Sequence, residues 1–398
     1  MYSPSMRQRS TGLPDRVSDA EFARRHAALR AGMAEKGVHA VVAFGTFQGW
    51  QNVFYLSNHW DLVSCYLVFF LHDEPVLFTG LYPHLASARD NAVVRDIRVG
   101  GTKSVELLVE LLEERGLARR PLGLIEPDSY RLPGIPHRDM THLQEARSQA
   151  ELVPCTRMLE AIRRIKSDEE IAILRTCAAL TDDCLSRVFE CVRPGLTDKD
   201  LAHQIASSPG DTVAVLVGST SMSQPRVPAP AIRPLGREIE AGDVVLIELS
   251  KGGAGYAGQV HGMVTLGPAT DCYLEMTGLA NDAYRAVVGA LRPGCSPYEA
   301  VKAASMISRA GYTVANPLIH GFGMGIEPGL HVGIPGAAAY WPPADFTFPR
   351  GATLTIEPNP CNKEMTIGAT AGGLALVTAN GCKELQKLAG HDLVQKRV

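Results

Sequence analysis

Phe22, Leu29 and Met33 recur at the spacing of one helical face, between the capping pair Ser18 and Glu21 and a stop at Gly37. The period then changes. Val38 to Phe44 is a continuous apolar run that reads as a buried strand, and Leu62–Leu71 and Val76–Phe78 read as further strands. A second helical stretch, Val105 to Arg115, stops at Gly116 and leads into a strand over Leu122–Ile125. Helix and strand alternating in this way predict an α/β layer domain.

The second region opens on a clearer signal. Ser167 stands before Asp168-Glu169-Glu170, where the third residue can reach back to the cap's own N–H. Ile171, Leu174, Ala178 and the cysteines Cys177, Cys184 and Cys191 then form a helical stripe to about Val192, which reads as core packing. The chain next repeats itself. Arg193-Pro194-Gly195-Leu196-Thr197 and Arg292-Pro293-Gly294-Cys295-Ser296 each follow a long helix and place Thr or Ser as the cap of a new one. Gly242 to Glu248 and Gly351 to Glu357 are both apolar strands with a carboxylate six residues after a glycine. A duplicated helix–helix–strand unit predicts internal pseudo-twofold symmetry, with the strands of Glu248 and Glu357 lying together at its centre.

Composition narrows the class of protein. A chain of 398 residues suggests two or three domains at about 150 residues each. With 39 Lys and Arg against 42 Asp and Glu, the formal charge of −3 leaves no basic footprint for nucleic acid. The longest apolar stretch, Cys65 to Leu71, is far short of the ~20 residues of a membrane helix. Met1-Tyr2-Ser3-Pro4-Ser5-Met6-Arg7 has no apolar signal core, and the nine cysteines include no Cys-x-x-Cys pair. The expectation is a cytoplasmic protein with reduced thiols, binding neither membrane nor nucleic acid.

Four ionisable residues carry the candidate chemistry: Glu248, His261, His320 and Glu357. A carboxylate in an apolar strand is costly to bury without a partner, and its duplicated placement argues against two incidental surface residues. His320 begins His320-Gly321-Phe322-Gly323-Met324-Gly325, whose alternating glycines let backbone pass close to a ligand. No strand–loop–helix unit surrounds this run, so a nucleotide site is not expected. His261 follows the turn Lys251-Gly252-Gly253-Ala254-Gly255-Tyr256 on a strand that returns from Glu248. Taken alone it fits a structural histidine equally well.

From about Arg163 onward the chain resembles the pita-bread fold family of creatinase, aminopeptidase P, prolidase and methionine aminopeptidase. The matching phrases are Ile165-Lys166-Ser167-Asp168-Glu169-Glu170-Ile171, Arg193-Pro194-Gly195, Gly242-Asp243-Val244-Val245, Gly255-Tyr256, His320-Gly321-Phe322-Gly323, Thr355-Ile356-Glu357-Pro358 and Leu374-Ala375-Leu376-Val377-Thr378. The resemblance implies a creatinase-type N-terminal α/β domain over 1–160 and a pseudo-twofold α+β pita-bread domain over 161–398. Peptidases of this family hold two metal ions with two Asp, one His and two Glu. Here those positions read Glu248, Gln259, His320, Glu357 and Gly372, so an amide and a glycine replace two carboxylates. Hard divalent cations favour anionic oxygens, so no metal or other cofactor is expected. The peptidases' substrate-side histidine is replaced by Ala231.

The resemblance then points to the metal-free branch typified by creatinase, which cleaves a C–N bond with His and Glu side chains. Creatinase's site glutamate falls at His261, and its upstream histidine is the one replaced by Ala231. The expected enzyme acts on a small polar molecule by C–N hydrolysis, with His261 as general acid/base, Glu357 orienting it or activating water, and Glu248 and His320 completing the pocket. Lyase or decarboxylase chemistry, a mononuclear metal hydrolase using the same four side chains and a catalytically silent binding protein are the alternatives. Tyr256, Gln259, Phe322 and His331 are expected substrate contacts. A homodimer is expected, with one protomer's N-terminal domain covering its partner's site through His59 and Trp60. The arginines that creatinase sets against a substrate carboxylate are missing from both matching segments, so bidentate carboxylate recognition is not expected.

Overall fold

The computed structural model describes residues 11–127, 134–230, 233–315, 317–333 and 345–398, without the side chains of 328–330. Ala231 and the segment Met1 to Arg7 lie outside the described residues. The chain divides into two compact units, residues 16–163 and residues 164–398, with residues 11–15 belonging to the second. The division thus falls three residues beyond the expected 160/161 boundary, inside a helix, and the N-terminal residues change sides: Leu13 packs at Gly253.

The N-terminal unit runs α1 (Asp19–Glu35), β1 (Ala40–Gly45), α2 (Gln51–Ser57), β2 (Cys65–Phe70), β3 (Val76–Thr79), α3 (Leu85–Asn91), β4 (Asp96–Val99), α4 (Ser104–Glu114), β5 (Leu122–Ile125), α5 (His137–Ala146), β6 (Leu152–Pro154) and α6 (Thr156–Arg164). Ser18 Oγ accepts from Glu21 N to start α1, and Gly37 at φ 66° turns the chain after it. The sheet has the order β4-β3-β2-β1-β5-β6, mixed in direction. Val42, Phe44, Tyr66, Val68 and Phe78 pack against Leu108 and Leu112 of α4. The expected strand Leu62–Leu71 begins only at Cys65, because buried Asp61 draws the preceding backbone into a turn by accepting from Val63 N and Gly80 N.

The C-terminal unit continues with α7 (Asp168–Cys191), α8 (Asp198–Ser207), β7 (Asp211–Ser221), β8 (Asp243–Gly253), β9 (Tyr256–Leu266), α9 (Asp271–Ala290), α10 (Pro297–Ala303), α11 (Met306–Arg309), β10 (Thr313–Val314), β11 (Ile319–Gly323), β12 (Gly325–Val332), β13 (Thr353–Ile356), β14 (Pro360–Cys361), β15 (Gly372–Thr378), β16 (Gly381–Glu384) and β17 (Val394–Lys396). Capping boxes at Ser167/Glu170, Thr197/Asp200 and Ser296/Glu299 start α7, α8 and α10. The duplication is therefore physical: a long helix, a Pro-Gly turn, a boxed short helix, then sheet. The main sheet has the path β12-β11-β13-β15-β9-β8-β7. Contrary to expectation, the strands of Glu248 and Glu357 are not neighbours, since β15 and β9 lie between them. Nor does Glu248 end its strand: β8 runs on to Gly253 before Ala254 (φ 54°) and Gly255 (φ 82°) reverse the chain.

Each half buries its own helices. Leu185, Val188, Leu201 and Ile205 of α7 and α8 pack on Val245, Ile247, Leu249, Val260 and Val264. Tyr284, Val287 and Ala300 of α9 and α10 pack on Ile319, Leu354, Ile356, Ala375 and Val377. No helix among the described residues is long and apolar enough to cross a membrane. Leu354 is fully buried in the second cluster, so Leu354→Ala should cost about 2–5 kcal/mol. A lowered urea midpoint for the C-terminal unit is the expected readout; an unchanged midpoint would show that the cluster does not hold this half together.

Candidate active site

Strand alternation decides which side chains meet. In β8 the odd-numbered residues and in β9 the even-numbered ones face α7 and α8, which leaves Glu248, Gln259 and His261 on the other face. In β11 and β13, Ile319, Leu354 and Ile356 face α9 and α10, leaving His320, Phe322 and Thr355 opposite. Register then aligns them in rows. Glu248 pairs with His261 across β8–β9, and His261 pairs with Gly372 across β9–β15. Ile356 pairs with Gly373, so Glu357, the next residue, comes opposite Gly372.

Gly372 therefore lies between His261 and Glu357. Their strands are two spacings apart, about 9–10 Å of backbone, yet His261 Nε2 lies 2.9 Å from Glu357 Oε2. The contact needs the backbone of Ile356 and Glu357 to pack directly on Gly372, where no side chain holds it off. A Cβ on Gly372 would sit 2.0 Å from the Ile356 carbonyl oxygen and 3.0 Å from Glu357 Cα, and the residue has φ 130°. The other oxygen of Glu357 lies 3.2 Å from His320 Nε2. One buried carboxylate thus holds two imidazoles.

The surrounding bonds orient every group. Gln259 accepts from Thr355 Oγ1 at 3.0 Å, which turns its amide nitrogen to donate to Glu248 Oε1 at 2.6 Å. His320 Nδ1 faces the Gly321 carbonyl at 3.1 Å, an acceptor only, so that nitrogen carries a proton. His261 Nδ1 meets Thr370 Oγ1 at 2.8 Å. His331 is buried and stacks on His320, with ring centroids 5.9 Å apart. Phe322 packs its ring edge on His320.

Charge is tightly linked here. Burial alone would lower His261, but the Glu248 charge and the Glu357 carboxylate against its Nε2 raise it. Burial opposes His320 as well and is outweighed by Glu357, so this histidine is raised too. In Glu357 the penalty of burial is overcome by the His320 charge and by the two ring nitrogens set against its oxygens, which hold the carboxyl down to about 2. Burial pushes the Glu248 carboxyl up, with the Glu357 charge adding to it. One oxygen each of Glu248 and Glu357 and one nitrogen of His261 lie within 4.8 Å of one another, close enough to share a single ion.

The four expected catalytic side chains thus converge, and Gln259, Phe322 and His331 lie among them. Tyr256 does not: it sits at the far end of the β8–β9 hairpin and donates its hydroxyl to Glu170 at 2.5 Å. Within the N-terminal unit, His59 is buried beside Asp61, 3.9 Å away, whereas Trp60 is 45% exposed and packs against Phe47. Thr355, Asn359 and Thr370 were not singled out from sequence. The one signal available was a hydroxyl, Thr370, inside a run otherwise made of Gly and Ala.

Two predictions follow from this geometry. A histidine with a raised folded value stabilises below its unfolded value near 6.5 and loses that contribution as pH rises. Glu357, held low, contributes above its unfolded value near 4.5 and loses its share as pH falls toward 2. The melting-temperature difference between the parent chain and His261→Gln should therefore be larger at pH 6 than at pH 9; equal differences would refute a protonated His261. Gly372→Ala should cost about 1–3 kcal/mol in backbone strain, a melting shift of roughly 2–10 °C. An unshifted melt would show that the strands can part to admit a side chain.

The comparisons agree with this architecture. The model for metallopeptidase family M24 matches residues 172–379, and that for the creatinase/prolidase N-terminal domain matches residues 25–165. The uncharacterized peptidase YqhT of Bacillus subtilis (strain 168) is 27% identical over 275 residues, 64% of this chain and 76% of that protein. The Xaa-Pro dipeptidase of Lactobacillus helveticus is 27% identical over 177 residues, 44% of this chain and 48% of that protein. Among solved structures, the X-Pro aminopeptidase of Thermotoga maritima MSB8 superposes with a TM-score of 0.79 at 16% identity, covering 93% of this chain and 99% of that one. Dipeptidase PepE of Mycobacterium ulcerans gives 0.76 at 23% identity, covering 96% and 100%.

Proposed function

Because the chain belongs to metallopeptidase family M24 yet sets an amide at Gln259 and no side chain at Gly372, we propose a distinct chemistry for it. It hydrolyses a C–N bond in a small, polar, non-peptide molecule, without a dinuclear metal centre. Hydrolysis is the reaction class that its relatives support. The departure from peptide cleavage rests on the donor set. Gln259 turns an N–H, not an anionic oxygen, toward Glu248, and Gly372 has no room for even a Cβ. These residues do not fit two hard cations.

The observation that carries the reading is the Glu357 carboxylate bracketed by His261 and His320. In this scheme Glu357 draws a proton from water as the water oxygen bonds to the substrate carbon. The His261 Nε2 proton passes to the leaving nitrogen as the C–N bond breaks. Glu248, His320, Gln259, Phe322 and His331 form the polar and aromatic walls. The homodimer belongs to the same proposal: Phe47, Trp60, Leu62 and Tyr82 expose apolar surface on the N-terminal unit, which supports an interface. A second reading places one metal ion on Glu248, His261 and Glu357, supported by the 4.8 Å cluster.

The test is metal content and activity measured on the same preparation. Chelator-dialysed protein should hold less than ~0.1 metal per chain and still turn over a member of a panel of small amides, amidines and guanidino compounds. One tightly held ion per chain would favour the second reading, and two with Xaa-Pro dipeptide cleavage would overturn the proposal. His261→Gln should lower turnover at least ~100-fold; near-parental turnover would remove His261 from the chemistry.

A further inference from the structure

Behind His261, away from Glu357, lies a short chain of polar groups that the reaction scheme does not use. His261 Nδ1 meets Thr370 Oγ1 at 2.8 Å, and Thr370 Oγ1 lies 3.0 Å from Asn359 Oδ1. Ala371 N also donates to Asn359 Oδ1, at 3.1 Å. His261, Thr370 and Asn359 are all buried, and the Asn359 side-chain nitrogen has no hydrogen-bond partner among the described residues.

The direction of each bond can be deduced from the one at the end. A backbone N–H is only a donor, so the atom of Asn359 facing Ala371 N is the carbonyl oxygen; flipping the amide would set donor against donor. The Thr370 hydroxyl has a single proton. Were it given to His261 Nδ1, the hydroxyl oxygen and Asn359 Oδ1 would face each other at 3.0 Å with no proton between them. Given to Asn359, it leaves the Thr370 oxygen free to accept, and the 2.8 Å contact then needs a proton on His261 Nδ1. Only this arrangement gives every close contact its hydrogen.

We propose that Asn359 and Thr370 are positioning residues that keep a proton on His261 Nδ1 in both charge states of the ring, so that the proton it exchanges is the one on Nε2, the nitrogen on Glu357. The lock rests on the proposed role of His261, though not on which reaction it serves. An imidazole that exchanges protons through Nε2 and one that ligates an ion through Nε2 both need Nδ1 tied to a fixed acceptor. Without it a neutral ring is free to place its proton on Nε2 and offer its lone pair to Thr370 instead. Thr370 is thus the orienting partner that triads usually supply as a carboxylate. A hydroxyl does it here without adding a third anion beside Glu248 and Glu357.

The test reads the tautomer directly and needs no substrate. The full chain is labelled with 15N in its histidine rings, and long-range proton–nitrogen correlations are recorded as pH is raised until the His261 ring has lost one proton, with His261 assigned by its absence in His261→Gln. The expected result is Nδ1 in the protonated range in the parent chain and in Thr370→Ser. In Thr370→Val that signal should shift toward the unprotonated range. Asn359→Ala is the second variant: it frees the Thr370 hydroxyl to donate to Nδ1 and should produce the same shift, keeping the test available should Thr370→Val not fold. A bare Nδ1 in the parent chain, or a tautomer unchanged in folded Thr370→Val or Asn359→Ala, would overturn the lock. Either result leaves the hydrolase proposal standing, whereas a metal-loaded or inactive enzyme would sink that proposal and leave the lock intact.

Discussion

The site depends on a vacancy in the sheet at Gly372. Four strands, β8, β9, β15 and β13, align Glu248, His261, Gly372 and Glu357 in one row. A side chain at the third place would strike the backbone at Ile356 and push β13, with its carboxylate, away. With none there, the imidazole and the carboxylate close to 2.9 Å. The pinch is tight enough that the backbone of Ile356 occupies the place of the missing Cβ. The glycine at once excludes a ligand and creates a contact, and neither effect is separable from the other.

Burying that contact imposes conditions on everything near it. Both rings present Nε2 to Glu357, and His320 Nδ1 is committed as a donor to a carbonyl. With His261 Nδ1 committed as well, the two Nε2–oxygen contacts need two protons, of which a carboxyl can supply only one. At least one ring is then an imidazolium, and the Glu248 carboxylate beside it is its counter-charge. A buried ion with an unsatisfied bond is costly, whereas a closed network rigidifies. Thr355 extends the network at Gln259, and Thr370 with Asn359 extends it at His261.

Local rules made much of this legible in the chain. The capping box at Ser167, the helix cap at Thr197, the strand of Glu248 and the hairpin returning to His261 follow from patterns a few residues long. What escaped was long-range pairing. Glu248 and Glu357 look like ends of adjacent strands because each follows a glycine by six residues. The sheet instead inserts β9 and β15 between them, and only register reveals that Gly372 falls in the row. Thr370 and Asn359 escaped for the same reason: their meaning lies in what they face. Trp60 and His59 show the reverse difficulty, since neighbours in sequence take opposite environments once Asp61 draws the backbone into a turn.

Charge balance bears directly on the proposal that no dinuclear centre forms. In the peptidases that this chain resembles, four carboxylates face two divalent cations, and the sum is zero. Here two carboxylates remain, Glu248 and Glu357. Two divalent ions on that pair would leave a buried excess of two positive charges, which burial penalises heavily. Two protonated imidazoles balance the pair, and so does one divalent ion between neutral rings. On the proposed donor set, charge balance therefore favours either rival over the dinuclear arrangement. Between those rivals the tie is broken by pH, because a proton shared with Glu357 is lost as the solution becomes basic, whereas deprotonation of the rings strengthens their hold on an ion.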